Sequence, residues 1–135
     1  MDISLEKILQ LSKLKKMKVL AGKEGLGNSV RWVNVLEMLD ELEQLEEGEL
    51  FVTTAVDLGT SQEAEEMLVS QLVGKRVSGL AIQTGFYVKE ISQTLIELCD
   101  LHQLPLIEIP GEMGFGEITR AIAHEVIYQQ NKRLE

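Results

Sequence analysis

At 135 residues, 44% apolar and 26% charged, the chain has the length and composition of one soluble globular domain, long enough to bury a core without staples. Its single cysteine, Cys99, excludes an intrachain disulfide and fits a reducing compartment, so a cytoplasmic protein is expected. The net charge of −9 argues against nucleic-acid binding by this domain, because phosphate neutralisation needs clustered Lys and Arg. Residues 1–23 hold six lysines, whose cluster around Lys13-Leu14-Lys15-Lys16-Met17-Lys18 reads as a solvated face, while Glu37 to Glu49 holds seven acids and no base. No apolar run reaches the roughly 18 residues of a membrane helix, and Met1-Asp2-Ile3-Ser4-Leu5-Glu6 lacks the basic-then-apolar layout of a signal peptide.

In chain order, residues 3–11 predict a short helix capped by Asp2 or Ser4, with Ile3, Leu5, Ile8, Leu9 and Leu11 apolar. Val19-Leu20-Ala21-Gly22 is a brief extended piece. Gly25-Leu26-Gly27-Asn28 is a turn signal, since Gly and Asn tolerate positive φ. Val30 to Leu36 alternates through Val33 and Val35, which predicts one strand with Trp32 facing the other way. Glu37 to Glu47, with Leu39, Leu42 and Leu45 at helical spacing, predicts a short surface helix or a turn-rich loop.

Gly48-Glu49-Leu50-Phe51-Val52-Thr53-Thr54 is the stretch around which the rest is organised, a buried strand bounded by turn signals. Thr53 to Thr60 predicts a loop. Ser61 then caps a helix with Ala64, Met67, Leu68, Gln71 and Leu72 on one face, ended by Gly74. A second strand follows over Gly79 to Gln83. Val88, Ile91, Leu95, Leu98, Cys99 and His102 form the stripe of the next helix. Pro105 opens a third strand, Leu106-Ile107-Glu108-Ile109, and Pro110-Gly111 stops it. From Phe115 a last amphipathic helix carries Ile118, Ala121, Ile122, Val126 and Gln129, and finishes without a C-cap glycine.

Strands alternating with helices are the signature of βαβ units. The expected fold is therefore α/β, a three-layer α/β/α unit with a mainly parallel sheet of about four to five strands. Residues 1–114 form its body and residues 115–135 its C-terminal helix, which is expected to lead on to a region beyond this sequence.

Templates for catalysis find little. Before Gly74-Lys75 a P-loop would need a glycine where Val69 stands, and a hydroxyl where Arg76 follows. Gly22, Gly25 and Gly27, like Gly111, Gly114 and Gly116, show the dinucleotide spacing reversed. One Cys and two distant His do not make a zinc site, so neither metal nor cofactor is expected. His124 reads as packing or surface, and Cys99 with His102 as core packing rather than a nucleophile pair. The chain is read as a non-enzyme.

What remains is geometry: in open parallel sheets, ligands bind outside the carboxyl ends of the strands. Those ends carry Thr53, Thr54 and Asp57, then Gln83, Thr84, Gly85 and Tyr87, then Glu108 and Glu112. The set is polar, with one aromatic and no clear base–nucleophile pair, which suits binding a small polar molecule. Thr53, Thr54, Thr84, Gly85, Tyr87 and Glu108 are the candidate ligand-binding residues.

Several stretches resemble one family. Val30-Arg31-Trp32-Val33-Asn34-Val35-Leu36-Glu37, Gly48-Glu49-Leu50-Phe51-Val52-Thr53-Thr54, Leu80-Ala81-Ile82-Gln83-Thr84-Gly85-Phe86-Tyr87, Leu104-Pro105-Leu106-Ile107-Glu108-Ile109-Pro110 and Phe115-Gly116-Glu117-Ile118 are similar, in that order, to the N-terminal domain of purine catabolism regulators (the PucR family). The resemblance implies a bacterial transcription regulator whose N-terminal part senses a signal and whose C-terminal helix-turn-helix, absent here, binds DNA. Two positions depart from the family pattern: Gly85-Phe86-Tyr87 stands where members often have Gly-Arg-Tyr, and Thr53-Thr54-Ala55 where they usually have Thr-Thr-Gly. The Gly-Glu-Leu-Phe-Val run also looks like the N-terminal domain of Mur ligases, which supports an α/β/α fold. The expected function is a regulatory domain binding a small effector, purine-related or otherwise, with self-association as a dimer. A ligand-free oligomerisation module is the alternative.

Overall fold

The computed structural model describes residues 3–57 and 61–134. Its centre is a five-stranded sheet. Strands β4 (Trp32–Val35), β5 (Glu49–Thr53), β6 (Gly79–Gln83) and β7 (Leu106–Ile109) run parallel in chain order, and β2 (Lys18–Ala21) adds antiparallel to β7 at the edge. Every residue of β6 and nearly every residue of β5 is buried, as expected for parallel strands covered on both faces.

Alternation of side chains sorts the sheet into two cores. Phe51, Leu80, Ile82 and Leu106 face α2 (Gln62–Lys75) and α3 (Gln93–Leu101), together with Leu36, Leu42 and Leu45 from the connection between β4 and β5. Leu50, Val52, Ala81, Ile107 and Ile109 face the other way, onto α1 (Leu5–Ile8) and α4 (Phe115–Leu134), whose Ile118, Ile122 and Val126 are buried. The expected α/β fold with helices on both faces and four to five strands is what the chain forms. All three connections between parallel strands lie on one face, so the strand order never reverses among them.

Several local expectations are corrected. Residues 3–11 are not one helix. Ile3–Ser4 is a short strand, β1, paired antiparallel with β3 (Ser29–Val30), and only Leu5–Ile8 is α-helical. Ser4 accepts from the Lys7 N–H as N-cap, while the Leu5 N–H is drawn to the Asn28 carbonyl at 2.9 Å. The strand predicted over Val30 to Leu36 breaks at Arg31, whose N–H donates to the Gly48 carbonyl at 2.8 Å, so its two halves serve different sheets.

The turn at Gly25 to Asn28 forms without positive φ. The left-handed residue is Gly22 (φ 69), where a Cβ would lie 2.0 Å from the Leu104 carbonyl oxygen. Gly25 is required for closeness instead, since a Cβ there would lie 2.4 Å from the Gln103 oxygen.

The buried face of α2 is Glu65, Leu68, Val69 and Leu72, one position round from the predicted stripe. Met67 and Gln71 point to solvent, Met67 at 65% exposure. The helix ends at Lys75 with Arg76 in the left-handed conformation (φ 59), so Gly74 is an ordinary helical residue. On α3, Leu95 and Cys99 are buried, but His102 is exposed because the helix stops at Leu101 and His102 turns out of its path. The predicted loop from Thr53 to Thr60 starts one residue later, since Thr53 is the last residue of β5, and its residues 58–60 lie outside the described ones.

Candidate functional site

The carboxyl ends of the parallel strands are built by hydroxyl–carboxylate pairs. Glu37 follows β4 and reaches across to the end of β5. Its Oε1 accepts from Thr53 Oγ1 at 2.7 Å, the Thr54 N–H at 2.9 Å and Thr54 Oγ1 at 3.0 Å. Thr53 Oγ1 in turn accepts the Ala55 N–H at 3.0 Å. Ala55 has φ 63, a conformation that glycine adopts without strain, and it is the position at which the resemblance places a glycine.

One strand over, Thr84 Oγ1 donates to Glu108 Oε2 at 2.8 Å and the Thr84 N–H to the Ile109 carbonyl. Gly85 takes φ 105 and closes a turn to the Val88 carbonyl at 2.8 Å. The Gln83 amide, buried, donates to the Met113 carbonyl at 2.6 Å and ties β6 to the approach to α4. Phe86 and Tyr87 stand out at 60% and 66% exposure.

A cavity of about 240 Å³ opens between the starts of α2 and α3. Ala55, Ile82, Val88 and Leu95 contribute apolar walls, Tyr87 an aromatic face, and Glu65 with Ser92 a polar side. Ser92 Oγ donates to Glu65 Oε2 at 2.6 Å while accepting the Leu95 N–H as the N-cap of α3. Of the six predicted residues, Tyr87 lines this cavity directly. Thr53 with Thr54 and Thr84 with Glu108 form two separate pairs at the adjoining strand ends, and Gly85 shapes the turn that carries Tyr87.

Sequence reasoning missed Glu37, Glu65 and Ser92. Ser92 had a local signal, as a serine preceding a helical stripe. Glu65 had none, because its burial depends on a partner 27 residues away.

The lone cysteine lies outside the residues that line this cavity. The Cys99 thiol is buried and its pKa is pushed up to about 12, first by desolvation and then by the negative charge of Asp100 and Glu65. A thiol held protonated is inert. Among the described residues no group of three or more His, Cys, Asp or Glu is placed to hold a metal ion, and no helix is long and apolar enough to cross a membrane.

The model of the purine catabolism regulatory protein-like family, PucR, matches residues 7–126, most of the chain. The chain belongs to this family. A match of that extent runs from α1 through all five strands of the main sheet and well into α4. The chain is also 28% identical over 128 residues to the purine catabolism regulatory protein of Bacillus subtilis (strain 168), covering 95% of this chain. It spans 24% of the length of that relative. As a family member, it is a PucR-like regulator domain.

Proposed function

We propose that this PucR-like domain senses a small polar effector and relays its presence through α4 to an attached DNA-binding region. The observation that carries the reading is the cavity between the starts of α2 and α3, with Tyr87 beside apolar walls and the Glu65–Ser92 pair. An apolar pocket with a few convergent polar groups is the usual form of a small-molecule site. Tyr87 stacks on a flat ligand, and Gly85 sets the turn that aims it. Thr53, Thr54, Thr84 and Glu108 brace the strand ends behind the pocket. A planar purine or purine-degradation product fits this chemistry. The effector adds contacts between the α2 and α3 ends, and β5 and β6 carry the change to Val52 and Ala81, which share a core with Ile118 and Ile122 of α4.

The test is thermal shift of the 135-residue chain against purines, their degradation products, nucleotides and amino-acid-derived metabolites. A ligand that binds only the folded state raises Tm. The expected result is a saturable rise with one chemical class, lost in Tyr87→Ala. A rise that survives Tyr87→Ala sinks the site. In a low-salt mobility shift the domain alone leaves duplex DNA unretarded.

A second reading, self-association, has one specific observation in its favour. Ile127 and Tyr128 are exposed on the outer side of α4. Sedimentation of the wild type against Ile127→Glu separates it from the effector reading, because only a dimer contact makes the variant sediment as a lighter species.

A further inference from the structure

The opposite, amino-terminal edge of the sheet carries a larger cavity of about 420 Å³. Its walls come from the residues that lead into the parallel strands, Arg31, Gly48 and Ser78, and from Arg76 and His102 just beyond the ends of α2 and α3.

The charge of this cavity runs against that of the chain. Two arginines line it in a protein of net charge −9, and Glu47 is the acid among its lining residues. Glu47 sits 3.9 Å from Arg31 with both side chains more than half exposed, which makes a weak pair. The Arg76 side chain has no hydrogen-bond or ion-pair partner among the described residues. It is not required to offset the partial negative end of α2 either. Lys75 supplies a cation in that last turn and donates to the Glu43 carbonyl at 2.8 Å.

The backbone binds the two arginines into one unit. The Arg31 N–H donates to the Gly48 carbonyl at 2.8 Å, and the Gly48 N–H donates to the Arg76 carbonyl at 3.0 Å. Gly48 has φ 84, and a Cβ on it would lie 2.8 Å from Arg31 Cδ, so the Arg31 stem lies across the glycine.

The floor holds an unmet donor. Ser78 is 1% exposed, and its Oγ has no hydrogen-bond partner. The backbone of Ser78 is satisfied, its carbonyl accepting from the Asn28 amide at 3.3 Å and its N–H donating to the Glu49 carbonyl at 2.9 Å. Burying a hydroxyl without a partner is unfavourable, and such a group in a folded protein calls for an acceptor.

We propose that this cavity is an oxyanion site, taking the carboxylate or phosphate group of a small metabolite. Arg31 and Arg76 supply charge-assisted donors, and Ser78 Oγ donates the third hydrogen bond from the floor. The site lies at the other end of the sheet from the effector cavity and stands without it.

The experiment is calorimetric titration of the 135-residue chain, in a constant chloride buffer, with inorganic phosphate and separately with oxalate. Saturable binding of either ion is expected, weakened roughly tenfold or more in Arg76→Gln and in Ser78→Ala, as loss of a hydrogen bond to a charged group requires. Both variants keep the wild-type Tm in ligand-free buffer, and Tyr87→Ala keeps wild-type anion affinity. Phosphate alone binding assigns a tetrahedral oxyanion, and oxalate alone a planar carboxylate. No saturable heat with either ion overturns the proposal. So does equal affinity in the wild type and both variants.

Discussion

The two ends of one sheet are finished in opposite ways. At the carboxyl end, four hydroxyls meet carboxylates: Thr53 and Thr54 with Glu37, Thr84 with Glu108 and Ser92 with Glu65. At the amino end the chain is closed by backbone approach, at Gly22 against Leu104 and at Gly48 beneath Arg31. There the Ser78 hydroxyl and the Arg76 guanidinium are left over. Satisfied polar groups build walls, and a buried hydroxyl without a partner calls for an acceptor. The carboxyl end therefore depends on its side chains for stability, and the amino end on its glycines.

Substitutions sharpen that contrast. Gly22→Ala forces a side chain into the Leu104 carbonyl at a left-handed position, and a loss of about 3 kcal/mol or more is expected. Urea unfolding reads it as a lower midpoint at unchanged slope. At the other end, Glu37→Ala removes the acceptor of the fully buried Thr53 hydroxyl and is expected to cost about 1–3 kcal/mol by the same assay. A loss at Glu37 as large as that at Gly22 would break the comparison.

Smaller effects refine it. Thr84→Val removes one hydrogen bond to Glu108, with an expected cost of about 1 kcal/mol and a weaker effector response. Ala55→Gly relieves a left-handed alanine beside the Thr53 hydroxyl and is expected to raise stability by up to about 1 kcal/mol. Raised stability at Ala55 would place the backbone strain of the carboxyl end in that one turn.

Cys99 reports on the core between the two ends. Its folded pKa of about 12 lies above the ordinary 9.0, so the folded chain keeps a proton that the unfolded chain releases. The stability this provides is complete below pH 9.0 and declines as pH rises towards 12. A thiol reagent at about pH 8 is expected to label Cys99 only as fast as the domain opens. Rapid labelling of the folded chain would contradict its burial.

The strands of the main sheet were legible because each is a short apolar run between turn signals, as at Leu50-Phe51-Val52 and Leu80-Ala81-Ile82. The face of α2 was not legible. Its period is correct but its phase is not, since the buried face takes in Val69 and also Glu65, an acid whose carboxylate the Ser92 hydroxyl meets from the next connection. Arg31 likewise has no local mark of a strand break. The Gly48 carbonyl that takes its N–H comes from a different strand entry.

The sequence by itself determined the α/β class, the order of the βαβ units and the polar character of the strand ends, because hydrophobic period and turn chemistry are local. Tertiary structure decided which strand-end groups are paired, which helix residue turns inward, and where charge is left unmatched. Those outcomes depend on partners such as Thr84 with Glu108, Ser92 with Glu65, and Gly48 with both Arg31 and Arg76. Such partners lie far apart along the chain and meet only when the sheet has formed.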